Sequence, residues 1–507
     1  MQHRNTPADA PRRHRRGTFV KARIALSAAL AAAAAGGVVA YANAAGTTAT
    51  TAAAAIPALA TGDSRTVTEP AVPKTVCRSL AATLTLTGRK ASSAQEAAAP
   101  DTSRIQQALD ACKQSGSGQV AVKLTAGGSN TAFLTGPLTV PQGVVLLLDS
   151  PVTLYGSLRA SDYQISGKST CGTVASSSGG CKPLISVSGA HTGIEAVRAS
   201  NGTQGRVDGR GDLALYGTST SWWDLAEQAK NNGGSQNNPR MIQAVSSNDF
   251  TLYDLDLVNA PNFHVSYQNG TGFTAWGVRI KTPAGAHNTD GIDPSGATDV
   301  TVSDSYVMAG DDGIAIKGGS NASKNITIRN SHFYGTHGIS IGSETAAGVS
   351  NVLVTGNTLD GSDANGTASV ASTGLRIKSS GLNGGAVTQV TYTGTCITRT
   401  KQPLVFDTHY ATGSGSTPSF TGIVVNGVKA TASTSGAKSV ISGYDAGHPV
   451  GLTLLNVALD TSTTTAQYAT VGLYNSTVKP SGTGVTTTSV TGTGSVPICT
   501  FPGYPAL

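Results

Sequence analysis

A right-handed parallel β-helix is the fold this sequence predicts, and three observations carry the prediction. Short units that alternate apolar and polar residues recur along its second half. Each unit ends at Gly, Asn or Asp. Charged residues make up only 12% of the chain, against 62 glycines and an abundance of Thr, Ser, Val and Asn, a composition that favours many short strands and turns over long helices.

The length supports the same reading. At 507 residues the chain is too long for one ordinary compact domain and could hold two or three. An elongated array is the exception, because it grows along one axis without outgrowing its core. The recurring units are Asn248-Asp249-Phe250-Thr251-Leu252, Thr271-Gly272-Phe273-Thr274-Ala275 and Asp299-Val300-Thr301-Val302. Asn325-Ile326-Thr327-Ile328, Asn351-Val352-Leu353-Val354 and Gln389-Val390-Thr391-Tyr392 follow. The early units lie roughly 23–27 residues apart, a solenoid period. Val and Ile then point inward and stack in columns, and the units near residues 418–475 are more degenerate. One helix precedes the array. Asp101 or Ser103 would cap it, and Ile105, Ala108, Leu109 and Cys112 share a face, so it is expected to cover the open end of the solenoid.

The N-terminus has the pattern of an export signal. Residues 1–44 combine a basic stretch ending at Arg23, an apolar run from Ile24 to Ala42, and the A-x-A site Ala42-Asn43-Ala44. That segment holds +6 of the formal charge of +7, so the pI implies no nucleic-acid partner. Residues 45–62 form an Ala/Thr leader expected to be disordered, and residues 63–507 are expected to form the functional domain. After cleavage the protein is expected outside the cell, off the membrane and monomeric. Export makes the six cysteines candidates for disulfides, and sequence neighbours suggest Cys77–Cys112 and Cys171–Cys181, leaving Cys396–Cys499. With no C-x-x-C or H-E-x-x-H motif, no metal or cofactor is expected.

Four segments carry the candidate chemistry: Asn288-Thr289-Asp290, Gly310-Asp311-Asp312, Thr336-His337-Gly338 and Arg376-Ile377-Lys378. The first three sit about one coil apart, so Asp290, Asp311, Asp312 and His337 should project from one face on successive layers. Arg376 joins them one coil later if residues 361–373 loop out. Three crowded carboxyls repel one another, and at least one should keep a proton near neutrality. A protonated carboxyl beside ionised ones is the equipment of glycoside hydrolysis. Arg376 and Lys378 would hold a substrate carboxylate, which points to an acidic sugar polymer. Taken singly, an Asp pair is a turn, a His is structural and a Lys/Arg strand face is solvated; the shared spacing argues otherwise.

In this order the four segments resemble those of the polygalacturonase family of glycoside hydrolases. Ser221-Trp222-Trp223, Pro261-Asn262-Phe263-His264 and His337-Gly338-Ile339-Ser340-Ile341-Gly342-Ser343-Glu344 resemble its bacterial endo-acting members. The resemblance implies hydrolysis of α-1,4 bonds in polygalacturonate with inversion. It implies Asp311 as general acid, Asp290 and Asp312 as the pair that activates water, and His337 as support for the acid. Arg376 and Lys378 would bind a galacturonate carboxylate, with Asn288 and Tyr410 as further sugar contacts. Inverting geometry would separate acid and base carboxyls by about 6.5–9.5 Å. Gly313, Thr336 and the long stretch 360–373 depart from the family pattern.

Exo action, calcium-dependent elimination by a pectate lyase and a non-catalytic glycan-binding solenoid are the competing readings; the order of the four segments argues against elimination, and the carboxylate cluster argues against the last. Gly338-Ile339-Ser340-Ile341-Gly342 also matches G-x-S-x-G, but that motif needs a strand-to-helix turn in an α/β fold, whereas here it lies in a solenoid repeat.

Overall fold

The computed structural model describes residues 55–507; the basic stretch, the apolar run and the Ala42-Asn43-Ala44 site lie outside them. Among the described residues no helix is long and apolar enough to cross a membrane. From Val76 to Ser489 the chain winds as a right-handed parallel β-helix. One ladder stacks eleven strands in chain order, from Leu138–Val140 to Thr463–Gln467. Two further ladders, exemplified by Phe250–Tyr253 and Asp256–Val258, merge into one 22-stranded sheet. They merge because the long strand Ala386–Thr398 pairs with both Val349–Thr355 and Thr358–Asp360.

The Gly, Asn and Asp punctuation of the sequence marks the corners of the coils. Asp254, Gly277, Asp304, Asn330 and Gly356 turn the chain between two ladders, all with φ between 48° and 67°. Those residue types tolerate the left-handed region best. Between corners the alternation holds. Ile292, Ile314, Ile339 and Leu375 are in register and fully buried. Burying each such side chain is worth about 1.5–3 kcal/mol, but only with coils above and below to bury it against. Phe250, Tyr267 and Phe273 stack within the same core, with ring centroids 4.7–6.3 Å apart.

The expected helix is Thr102–Ala111, with Ile105 and Leu109 fully buried. It lies over the end of the solenoid, where Gln106 exchanges hydrogen bonds with the backbone of Thr139. Asp101 starts the helix without capping it through its side chain. Its carboxylate instead accepts the Leu134 N–H at 2.6 Å and pairs with Arg104. Two helices escaped the sequence reading, Ser93–Ala98 and Trp222–Asn232, and both start with a capping box, Ser92/Gln95 and Ser221/Asp224. The S-x-x-Q and S-x-x-D spacings were the available signals. All three disulfides join the expected partners: Cys77–Cys112, Cys171–Cys181 and Cys396–Cys499.

Residues 60–65, where the leader meets the domain, lie across the outer face of several coils. Asn351 is the main anchor. It accepts the Thr61 and Gly62 N–H groups at 2.7 and 3.1 Å and donates to Gly62 O and Asn325 Oδ1. It also turns a corner with φ 53°. Asn351→Ala should therefore cost about 1–2 kcal/mol and speed protease cleavage within residues 55–66. Thermal unfolding with limited proteolysis checks this; an unchanged cleavage rate would show that the segment is held elsewhere.

Candidate active site

The eleven-stranded ladder positions the site. Its pairing runs Ile292, Ile314, Ile339, Leu375, so Gly291, Gly313, Gly338 and Gly374 precede equivalent positions on four successive coils. At Gly291, Gly338 and Gly374 the backbones approach too closely for side chains, and at Gly313 the Phe333 ring stands in the way. A Cβ on Gly291 would lie 2.3 Å from Gly313 O, and one on Gly338 would lie 2.2 Å from Gly374 O. One residue earlier come Asp290, Asp312 and His337, brought to neighbouring layers by the same register. Arg376 pairs opposite Ser340, because residues 361–372 make an excursion before the strand Thr373–Lys378. That excursion is tied down by Asp363, which accepts the Ala284 N–H at 3.1 Å on the segment leading to Asn288.

Asp312 is buried and held on both oxygens. Ser340 Oγ donates to Oδ1 at 2.9 Å, Arg376 pairs with the same oxygen, and Lys378 Nζ lies 2.9 Å from Oδ2. Arg376 Nε donates to Ser340 Oγ at 2.8 Å. Burial by itself would raise this carboxyl, but Arg376 and Lys378 outweigh burial and hold it far below the usual range. It is therefore a carboxylate. The two cations expected to grip substrate are matched to Asp312 in the ligand-free site. Both are buried, and the ring of the exposed Tyr410 lies 4.8 Å from Lys378 Nζ.

Asp290 has the opposite environment. It is buried, and its Oδ1 has no hydrogen-bond partner. Burial first, then the charges of Asp293, Asp311 and Asp312, push it well above the usual range. The proton that crowding requires is thus favoured on Asp290, whereas the family resemblance assigned the acid to Asp311. Burial likewise pushes Asp293 up to about 6 against the opposing charge of Lys317, whose Nζ is 3.2 Å away.

Asp311 is half-buried at the mouth. His337 Nδ1 lies 2.9 Å from Oδ1, the Asp312 N–H donates to the same oxygen at 2.9 Å, and Asn288 Nδ2 donates to Oδ2 at 3.3 Å. Gln236 in turn donates to Asn288 Oδ1 at 3.1 Å. All eight candidate residues thus belong to one continuous site. Asp311, Asp312 and His337 each bring one ligand atom within 4.8 Å of the other two. Those three groups could approach a cation, but Arg376 and Lys378 already occupy the Asp312 oxygens and would repel one.

Sequence reasoning missed four members. Asp293 and Lys317 form the ion pair behind Asp290. Ser340, set aside as a false nucleophile, links Asp312 to Arg376. His264 is buried, which lowers it to about 4, so it is neutral. Its Nδ1 meets Asp290 O at 3.0 Å and its Nε2 meets Thr282 Oγ1 at 2.8 Å. The available signals for His264 were its segment Pro261-Asn262-Phe263-His264 and its place one coil before Gly291.

A model of the Glycosyl hydrolases family 28 matches residues 131–479. The chain is 39% identical over 458 residues to a polygalacturonase of Ralstonia solanacearum, covering 80% of this chain and 83% of that one. It is 40% identical over 405 residues to an endo-polygalacturonase of Pectobacterium parmentieri, covering 79% and 91%. Its fold matches the solved polygalacturonase of Erwinia carotovora with a TM-score of 0.69 and 37% identity, over 82% of this chain and 100% of that one. A Thermotoga maritima exopolygalacturonase, at 17% identity and TM-score 0.61 over 81% and 93%, shares the fold.

Proposed function

The chain belongs to glycosyl hydrolase family 28, and from that premise we propose that it is a secreted, endo-acting polygalacturonase. It hydrolyses α-1,4-galacturonosidic bonds of polygalacturonate with inversion. The observation that carries the reading is the division of labour among the carboxyls. Asp312 is fixed as a carboxylate by two cations, while Asp311 sits at the mouth within 2.9 Å of His337. Asp311, with His337 able to share its proton, protonates the leaving oxygen. Asp312 takes a proton from the attacking water, and Asp290 orients that water.

The engagement of both Asp312 oxygens also favours inversion, because a carboxylate tied to Arg376 and Lys378 is a poor nucleophile but a good holder of water. Secretion rests on the export signal at residues 1–44, and the three disulfides fit an oxidising destination. Endo action rests on the names of the relatives.

Mature protein incubated with polygalacturonate should release reducing ends equally with and without chelator, and without unsaturated ends. Viscosity should fall early, with mixed oligomers, as internal cleavage requires; monomer or dimer alone would mean exo action. The first product seen by NMR should be the β-anomer. Calcium-dependent absorbance from unsaturated ends would make the enzyme a lyase, and an initial α-anomer would rule out inversion.

A further inference from the structure

The row that contains Asp290 and Asp312 begins two coils earlier. Ile242, Val265, Ile292 and Ile314 pair in sequence along the ladder, and the residues two places before them are Arg240, Phe263, Asp290 and Asp312. Two strand spacings place Arg240 about 10 Å along the axis from Asp290. Arg376 enters two coils beyond Asp312 on the opposite side. The acid cluster therefore lies between two arginines on one continuous surface.

The two arginines differ in what they hold. Arg376 pairs with the carboxylate of Asp312. Arg240 lies with its guanidinium carbon 5.2 Å from the centroid of the Phe263 ring, and it has no ion pair or side-chain hydrogen bond to any described residue. It lines two adjoining cavities of about 710 and 250 Å³. The larger has no carboxylate in its lining; Lys230, Gln236, Asn238 and Asn262 share it with Arg240. In the smaller, Lys317 is already matched by Asp293, and Glu344 stands at the edge. Only the charges of Asp293 and Asp290, neither in contact with Arg240, offset the burial of its guanidinium. A guanidinium offers the forked N–H edge that suits a carboxylate.

We infer that Arg240 binds the carboxylate of a galacturonate unit on the side of the acid cluster away from Arg376 and Lys378. The cleft then demands free carboxylates on both sides of the bond it breaks, and Arg240 is a specificity-determining residue against methyl esters. This inference rests on the reading of the cleft as a site for polygalacturonate.

Calorimetric binding to full-length Asp311→Asn protein, with and without Arg240→Gln, tests it. The probes are α-1,4-trigalacturonate and its fully methyl-esterified form. Arg240→Gln should weaken the free trimer at least about tenfold, as loss of a charge-assisted pair does, and leave the ester within about twofold. Arg240→Lys should fall between. Equal binding of the free trimer to both proteins would overturn the inference. So would an equal loss for the ester, since Arg240 would then act only by packing on Phe263. If Arg240→Gln fails to fold, the free-to-ester affinity ratio of Arg240→Lys decides: a ratio unchanged from the parent overturns the inference, a reduced one supports it. Failure of the free trimer to bind even the Asp311→Asn protein would instead remove the underlying reading of the cleft.

Discussion

An Asp311→Asn protein should fold as the parent does and hydrolyse polygalacturonate about 10²–10⁴-fold more slowly, the usual worth of a general acid. The substitution preserves shape. Asparagine keeps an acceptor oxygen at Oδ1 for the Asp312 N–H, 2.9 Å away in the parent, and for the imidazole of His337. It loses the acceptor that Oδ2 offers to Asn288 Nδ2 at 3.3 Å and the ability to release a proton to the leaving oxygen. Asp311 is half-buried and, apart from the His337 contact, forms no ion pair, so little stability depends on its charge. The loss should therefore appear in kcat with KM nearly unchanged, as for an interaction made only in the transition state. Thermal unfolding within about 2 °C of the parent would confirm that the fold is intact. Activity within tenfold of the parent would move the acid role to another carboxyl, and Asp290, whose affinity for a proton burial raises, would be the first to examine.

The solenoid was legible because its period is written in residue types that corners demand. Asp254, Asp304 and Asn330 recur where the chain must turn left-handed, and the Ile and Val between them fix the inward columns. The same period sets Asp290, Asp312 and His337 on adjacent layers. Arg376 required the assumption of a looped-out segment, and the Ser340–Arg376 register supplies that loop.

What stayed hidden depends on depth rather than on pattern. Asp290 and Asp311 look alike in sequence, yet one is buried without a partner for Oδ1 and the other faces the mouth. Arg240 carries no motif and acquires meaning only when the register sets it in the row of Asp290. The helix Trp222–Asn232 was overlooked because the surrounding pattern is that of strands, although Ser221 and Asp224 bracket its first turn.

The departure at Gly313 makes sense only in three dimensions. A Cβ there would meet the Phe333 ring at 2.5 Å and Thr336 Oγ1 at 3.2 Å. The ring fills most of the space that a side chain at 313 would take, so any larger residue there requires Phe333 to move.

Asp312→Asn is expected to damage both stability and catalysis. Removing the charge leaves Arg376 and Lys378 buried side by side without a counterion. Breaking such a buried network by deleting one partner costs about 3–5 kcal/mol. Turnover should fall together with it, since an amide cannot take a proton from water. The pH dependence separates this mechanism from simple misfolding. The folded-state value of Asp312 is depressed below its ordinary 3.8 by Arg376 and Lys378, against the opposing effect of burial. Its stabilising contribution is therefore fully present above the unfolded value and is lost as pH falls below about 3.8 toward the folded value. Chemical unfolding of parent and variant should accordingly differ most from pH 5 to 7 and converge as pH drops below 4. Ser340→Ala is the control: it removes one hydrogen bond from Asp312 and one from Arg376 but leaves the ion pairs, so it should cost about 1–3 kcal/mol. A gap between Asp312→Asn and parent that stays constant from pH 7 to pH 3 would mean that packing, and not the charge held by Arg376 and Lys378, is what Asp312 contributes to the folded chain.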